Sequence, residues 1–149
     1  MPTVEKVART DAGLASELRL SVMRLRRRLA NERHPDNELS LNQMAVLGAL
    51  YRAGDLTIGE LAGHERVQPP SMTRTVNCLE GDGYVARRPH ETDGRQVLVT
   101  LTDSGRATVL ADRARRDAWL ARRLTDLSPE DRAVLRAAAP ILERLAQKD

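Results

Sequence analysis

The chain has 149 residues, 41% hydrophobic and 30% charged, with Lys and Arg exceeding Asp and Glu by a net +3. That length suits one domain of ordinary size, or a small domain plus a dimerisation appendage, and the apolar share argues against wholesale disorder. Tyr51, Tyr84 and Trp119 are the whole aromatic set and Phe is absent, so the core must be aliphatic, and the shortage argues against a base-stacking platform for single strands.

No apolar run is long enough to span a bilayer; the longest is Met44 to Leu50. Residues 1–11 mix Glu5, Lys6, Arg9 and Asp11, and no secretory leader is expected there. A single cysteine, Cys78, rules out an internal disulfide framework and fits a reducing cytoplasm. The basic residues are nearly all Arg, which suits forked contacts to phosphate, guanine or carboxylate.

In chain order, Leu14, Leu18, Val22, Leu25 and Leu29 recur at spacings of three and four and predict a helix over 11–33. His34-Pro35 ends it, because the residue before a proline avoids helical geometry. Ser40 with Gln43, and Thr57 with Glu60, are two capping boxes, each opening a helix. Gly54 closes the first of these, and the second runs over about 58–65. After a brief turn, Pro69-Pro70-Ser71 opens a fourth helix with Met72, Val76 and Leu79 inward, stopped by Gly81-Asp82-Gly83. Residues 84–88 and 96–101 alternate as two strands of a hairpin whose tip, Glu91 to Gly94, carries turn chemistry. Thr102-Asp103-Ser104-Gly105 starts a fifth helix to about Leu124, and Ser128-Pro129 a sixth, where Pro140 predicts a kink.

A helix, a turn, a second helix with a polar outer face and then a hairpin is the order of a winged helix-turn-helix, whose physics suits duplex DNA. A helix start with free N–H groups favours phosphate. Ser71 and Thr73 are small enough for close approach, Arg74 could reach guanine or phosphate, and Asn77 could reach adenine. Arg95 at the hairpin tip suits the negative potential of a minor groove. Arg87 and Arg88 alternate on a strand, so at most one meets phosphate, and Arg88 is assigned that role.

The segments Leu56 to Ala62, Pro70 to Val76, Leu79 to Val85, Asp93-Gly94-Arg95 and Val99 to Gly105 resemble the MarR family of bacterial transcription regulators. The match spans most of the chain, and its most specific part is an Asp-Gly-Arg tip before a Val-Thr-Leu-Thr-Asp-Ser-Gly strand exit. The resemblance implies a mostly α fold with a small β-wing: one domain over 1–149, a winged helix-turn-helix lobe at 40–101, and dimerisation helices at 11–33 and 106–147. It implies a homodimer on a pseudo-palindromic operator of double-stranded DNA, released in many members by a small phenolic or lipophilic anion. By matched position, Pro70, Ser71, Thr73, Arg74 and Asn77 would face the major groove, and Arg95 the minor groove with Asp93 bracing its guanidinium. Arg24, Met44, Leu47, Tyr51 and Trp119 would line an effector cleft, with core or interface packing as the plain alternative for each. A repressor is the expected sign of regulation.

Two other readings stand beside this one. Cys78 could sense oxidants, although a buried structural thiol is the expectation at its position, beside Leu79 and near Glu80. The winged helix could instead serve a dimeric module that binds protein. His34, His64 and His90 have no metal-ligand spacing, and no nucleophile–base constellation points to an enzyme or a cofactor. Leu14 to Arg33 carries six Arg against two Glu, and Arg106 to Thr125 six Arg against two Asp, so the basic surplus falls on the expected dimer helices. That placement suits an anionic effector.

Overall fold

The computed structural model describes residues 10–147; the leader expectation at residues 1–9 lies outside them. Its helices are α1 (Asp11–Ala30), α2 (Leu41–Ala53), α3 (Ile58–Glu65), α4 (Pro69–Gly81), α5 (Asp103–Thr125) and α6 (Pro129–Ala146). Its strands are β1 (Leu56–Thr57), β2 (Val85–Pro89) and β3 (Val97–Leu101). The chain divides into two compact units, one up to Arg33 and again from Arg115, the other His34–Ala114.

Local chemistry explains most of the boundaries. Thr10 accepts the Gly13 N–H at 3.1 Å and starts α1. That helix stops at Ala30, about a turn before the expected Arg33, because Asn31 begins a run of tight turns in which Glu32 N–H reaches Leu29 O at 3.1 Å. Both capping boxes form in full, Ser40 with Gln43 ahead of α2 and Thr57 with Glu60 ahead of α3. Gly54 ends α2 at φ 83°, a conformation that a side chain would oppose. Helix α6 runs through Pro140 without ending there.

The sheet differs from the expected two-stranded hairpin. Leu56–Thr57 adds a third strand, and the order is β1-β3-β2, antiparallel throughout. Leu56 faces Val99, and Val85 faces Leu101. Pro89 can close β2 because it lies on an edge strand, where a missing N–H costs no ladder bond.

The core of the His34–Ala114 unit is aliphatic, as a chain without Phe requires. Val46, Leu47, Leu61, Val76, Leu79, Val85 and Val99 are fully enclosed, with Met72 and Val109 beside them. The hairpin is locked to the start of α5 by Thr102, whose hydroxyl donates to the Gly83 carbonyl at 2.6 Å and accepts the Gly105 N–H at 3.1 Å. In the other unit, Trp119 is buried between guanidiniums, Arg28 at 4.7 Å and Arg123 at 5.4 Å from its ring centre. The apolar residues of α1 and α6 are largely exposed: Leu14 is 50% accessible, Val134 and Leu145 65% each, and α6 has no buried residue.

Candidate nucleic-acid interface

Helix α4 owes its orientation to Met72, Val76 and Leu79, which anchor one face in the core. The opposite side presents Pro70, Arg74 and Asn77 exposed, with Ser71 and Thr73 half-buried. Arg74 Nη2 donates to Ser71 Oγ at 3.3 Å, and Thr73 returns its hydroxyl to the Pro69 carbonyl at 3.0 Å. These short-range bonds give the polar face a defined shape while leaving most of the Arg74 fork open.

The start of α4 corrects one expectation. Pro69 and Pro70 have no N–H, and the next donor, Ser71 N–H, is spent on the Gln68 carbonyl at 3.0 Å. The helix end therefore offers no free N–H to a phosphate, and anchoring must come from side chains. Gln68 occupies the cap position without making a side-chain cap.

Asn77 is tied to the wing. Its Oδ1 accepts from Arg87 Nη2, while Arg87 Nε lies 3.5 Å from Glu80 Oε2. Arg87 thus cross-links β2 to the outer half of α4, and Asn77 holds that link as well as facing outward. Arg88 is committed too. Its Nε donates to Asp55 Oδ2 at 3.0 Å, a second bond joins Nη2 to the same oxygen, and Glu91 lies 3.8 Å away. The Arg88 hydrogen bond holds the Asp55 carboxyl below the usual carboxylate range against a smaller opposing effect of burial, and the same bond raises the Arg88 pKa. Arg88 thus fastens the root of the wing to Asp55.

The tip is a closed turn. His90 N–H donates to Gln96 O, and Gln96 N–H to Asp93 O, each at 3.0 Å. His90 Nδ1 accepts the N–H groups of Thr92 and Asp93, both at 3.2 Å. Asp93 Oδ1 takes the backbone N–H of Arg95 at 3.1 Å, so Asp93 shapes the turn and does not brace the Arg95 guanidinium as expected. Arg95 stays exposed with no side-chain partner among the described residues.

The expected effector residues fall in both units and have different surroundings. Met44 and Leu47 are buried in the core, and Leu47 is fully enclosed. Tyr51 is half-buried beneath Arg113 and Arg106, at 4.4 Å and 5.6 Å from its ring centre. Arg24 is exposed and Trp119 buried in the other unit. A cavity of about 70 Å³ between α2, α3 and α4 and an open hollow of about 420 Å³ under the wing are lined by none of the five. Cys78 is exposed, which corrects the expected burial. Among the described residues no group of three His, Cys, Asp or Glu side chains is placed to hold a metal ion, and no helix is long and apolar enough to cross a membrane.

A model of the MarR family matches residues 39–97, from the residue ahead of the α2 cap to the first residue of β3. An HTH-type transcriptional regulator of Mycobacterium tuberculosis is 47% identical over 139 residues, covering 93% of this chain and 96% of that protein. The chain belongs to the MarR family. The HTH-type transcriptional repressor MdtR of Bacillus subtilis is 31% identical over 137 residues, covering 90% of this chain and 86% of that one. A MarR family protein of Bacillus stearothermophilus superposes with a TM-score of 0.80 at 27% identity, over 94% of this chain and 97% of that one. As a MarR protein the chain is a DNA-binding transcriptional regulator built on a winged helix-turn-helix. Sequence reasoning missed Asp55 and Arg87, whose roles are set by residues distant along the chain. It also missed Arg66, where a helix stops without the glycine or asparagine that such stops favour.

Proposed function

We propose that the protein works as a homodimeric repressor in the cytoplasm, occupying a pseudo-palindromic operator and leaving it when a small anionic or phenolic effector binds. The observation that carries the dimer is the bare apolar face of α1 and α6: an eighteen-residue helix with no buried residue cannot stay in water unpartnered without a large exposed patch. A second copy placed two-fold on the same face covers both patches at once. Such a dimer presents two copies of α4 about 34–36 Å apart, one turn of duplex. Arg74 with Pro70, Ser71, Thr73 and the free edge of Asn77 reads the major groove, and Arg95 enters the minor groove. Residues 11–33 and 106–147 then serve pairing, and 40–101 serves DNA.

The effector reading rests on the Arg surplus of the helices and on Tyr51, Trp119 and Arg24, since Met44 and Leu47 serve the core. Repression is the function that the name of the Bacillus subtilis relative gives to that protein. The experiment is sedimentation of the protein alone and on duplexes selected from a random pool, followed by a release screen with organic acids and their neutral analogues. A monomer at micromolar concentration would sink the dimer, and equal release by acid and neutral analogue would sink the anionic effector.

The exposed Cys78 favours one second reading, in which oxidation on the outer side of α4 lifts the protein from DNA. Oxidant-dependent release that survives in Cys78→Ser removes it.

A further inference from the structure

Arg66 is the single non-glycine residue with positive φ among the described residues, at φ 54° and ψ 43°. It stops α3: its N–H lies 3.3 Å from the Gly63 carbonyl, and Val67 N–H bonds to Ala62 O at 3.0 Å. A left-handed helix stop of this kind is the usual place of glycine or asparagine, because a Cβ strains it. Here a long cationic side chain bears that strain. It is exposed, and no hydrogen bond, ion pair or ring contact holds it among the described residues. The fold thus gains nothing visible from Arg at this position and would be served better by glycine.

The segment that follows has a deficit of its own. Gln68 does not cap α4, and the two prolines and the spent Ser71 N–H leave the helix start without a donor for phosphate. The positive charge nearest in sequence to that start is Arg66, three residues before Pro69. We infer that Arg66 is a DNA-contacting residue that supplies the phosphate anchor α4 cannot supply from its own backbone, and that it is kept at the expense of stability. A guanidinium suits this work because its fork can pair with two phosphate oxygens. The inference rests on the DNA-binding role of α4 and deepens it.

The test separates charge from backbone. In Arg66→Gly both the strain and the charge go; in Arg66→Gln the charge goes and the strained Cβ stays. Thermal melting at one protein concentration and binding to a duplex selected by the wild-type protein from a random pool are measured for each, across a salt series. The inference expects Arg66→Gly to melt about 2–6 °C higher and Arg66→Gln to melt with the wild type. Both should bind the duplex about fivefold more weakly or worse, with a salt slope shallower by about 0.9 for each phosphate that the variant no longer neutralises. Wild-type affinity and slope in both variants would overturn it, and so would weakening confined to Arg66→Gly, which would trace the loss to the backbone. Arg74→Ala is run alongside: if neither it nor raised salt weakens the wild-type complex, the failure belongs to the DNA reading of α4 and not to Arg66.

Discussion

Replacing Gly105 by alanine separates two accounts of why glycine stands there. Gly105 is the third residue of α5, and helix propensity alone predicts that alanine would stabilise by up to about 1 kcal/mol. The structure predicts the reverse. A Cβ at 105 falls 2.1 Å from the Tyr84 carbonyl oxygen and 3.1 Å from Leu101 Cδ2. Comfortable packing needs well over 3 Å, so the overlap exceeds ~1 Å. Neither wall can retreat freely, because Tyr84 O accepts the Thr102 N–H at 3.2 Å, while Thr102 Oγ1 joins Gly83 O to the Gly105 N–H. Relief must push α5 off the wing and break part of that set. Overpacking costs ~1–3 kcal/mol and each hydrogen bond ~1 kcal/mol, against the propensity gain, so the net loss is ~2–4 kcal/mol. For a chain of this length that is a fall in Tm of about 5–15 °C. The assay is calorimetry at one fixed protein concentration, since a dimer's Tm depends on it. Gly63→Ala is the matched control: its Cβ meets nothing within 4 Å, and it should gain ~0.5–1 kcal/mol. A Gly105→Ala protein as stable as the wild type would refute the close-approach account.

Arg95→Ala should weaken binding to a selected duplex by ~1–3 kcal/mol and blur the preference for A·T pairs at the flanks, while Arg74→Ala should blur it within the half-site; repeating the random-pool selection with each variant reads both effects. The Asp55–Arg88 pair gives a pH signature. The native carboxyl is held below its unfolded value, so the stabilisation is complete above the ordinary Asp range and disappears as pH falls through the lowered native pKa. The melting difference between wild type and Asp55→Asn should therefore be largest near neutrality and vanish in acid; a difference independent of pH would remove the ion pair as its cause. His90 Nδ1 holds the Thr92 and Asp93 N–H groups. Amide exchange at those two residues, measured at one pH, should quicken in His90→Ala, and unchanged exchange would remove the ring as their acceptor.

What the sequence showed was what neighbours along the chain decide. The capping boxes at Ser40 and Thr57 pair residues three apart, and both were legible before any fold was known. The motif around Gly105 was legible as a pattern, but its cause is the Tyr84 carbonyl, which only tertiary structure brings near. Strand β1 escaped because two residues carry no periodicity. The pairing of Arg88 with Asp55 could not be read from spacing, because the two stand thirty-three residues apart. Asn77 and Arg87, on helix and strand, were invisible as a pair for the same reason. The burial expected of Cys78 was an error of helical phase. Two residues past Val76, it sits about 120° from the centre of the Met72–Val76–Leu79 stripe, and that much could have been read from the spacing.

The central claim is that two copies of α4 and two wings read one turn-spaced pair of half-sites. Footprinting of a duplex selected by the wild-type protein tests it most directly, with dimethyl sulfate reading guanine N7 in the major groove and hydroxyl radical reading the sugars along the minor groove. The account predicts two protected major-groove windows centred about 10–10.5 base pairs apart, related by a two-fold axis and flanked by minor-groove protection that Arg95→Ala erases. A single protected window, or one without that symmetry, would contradict it.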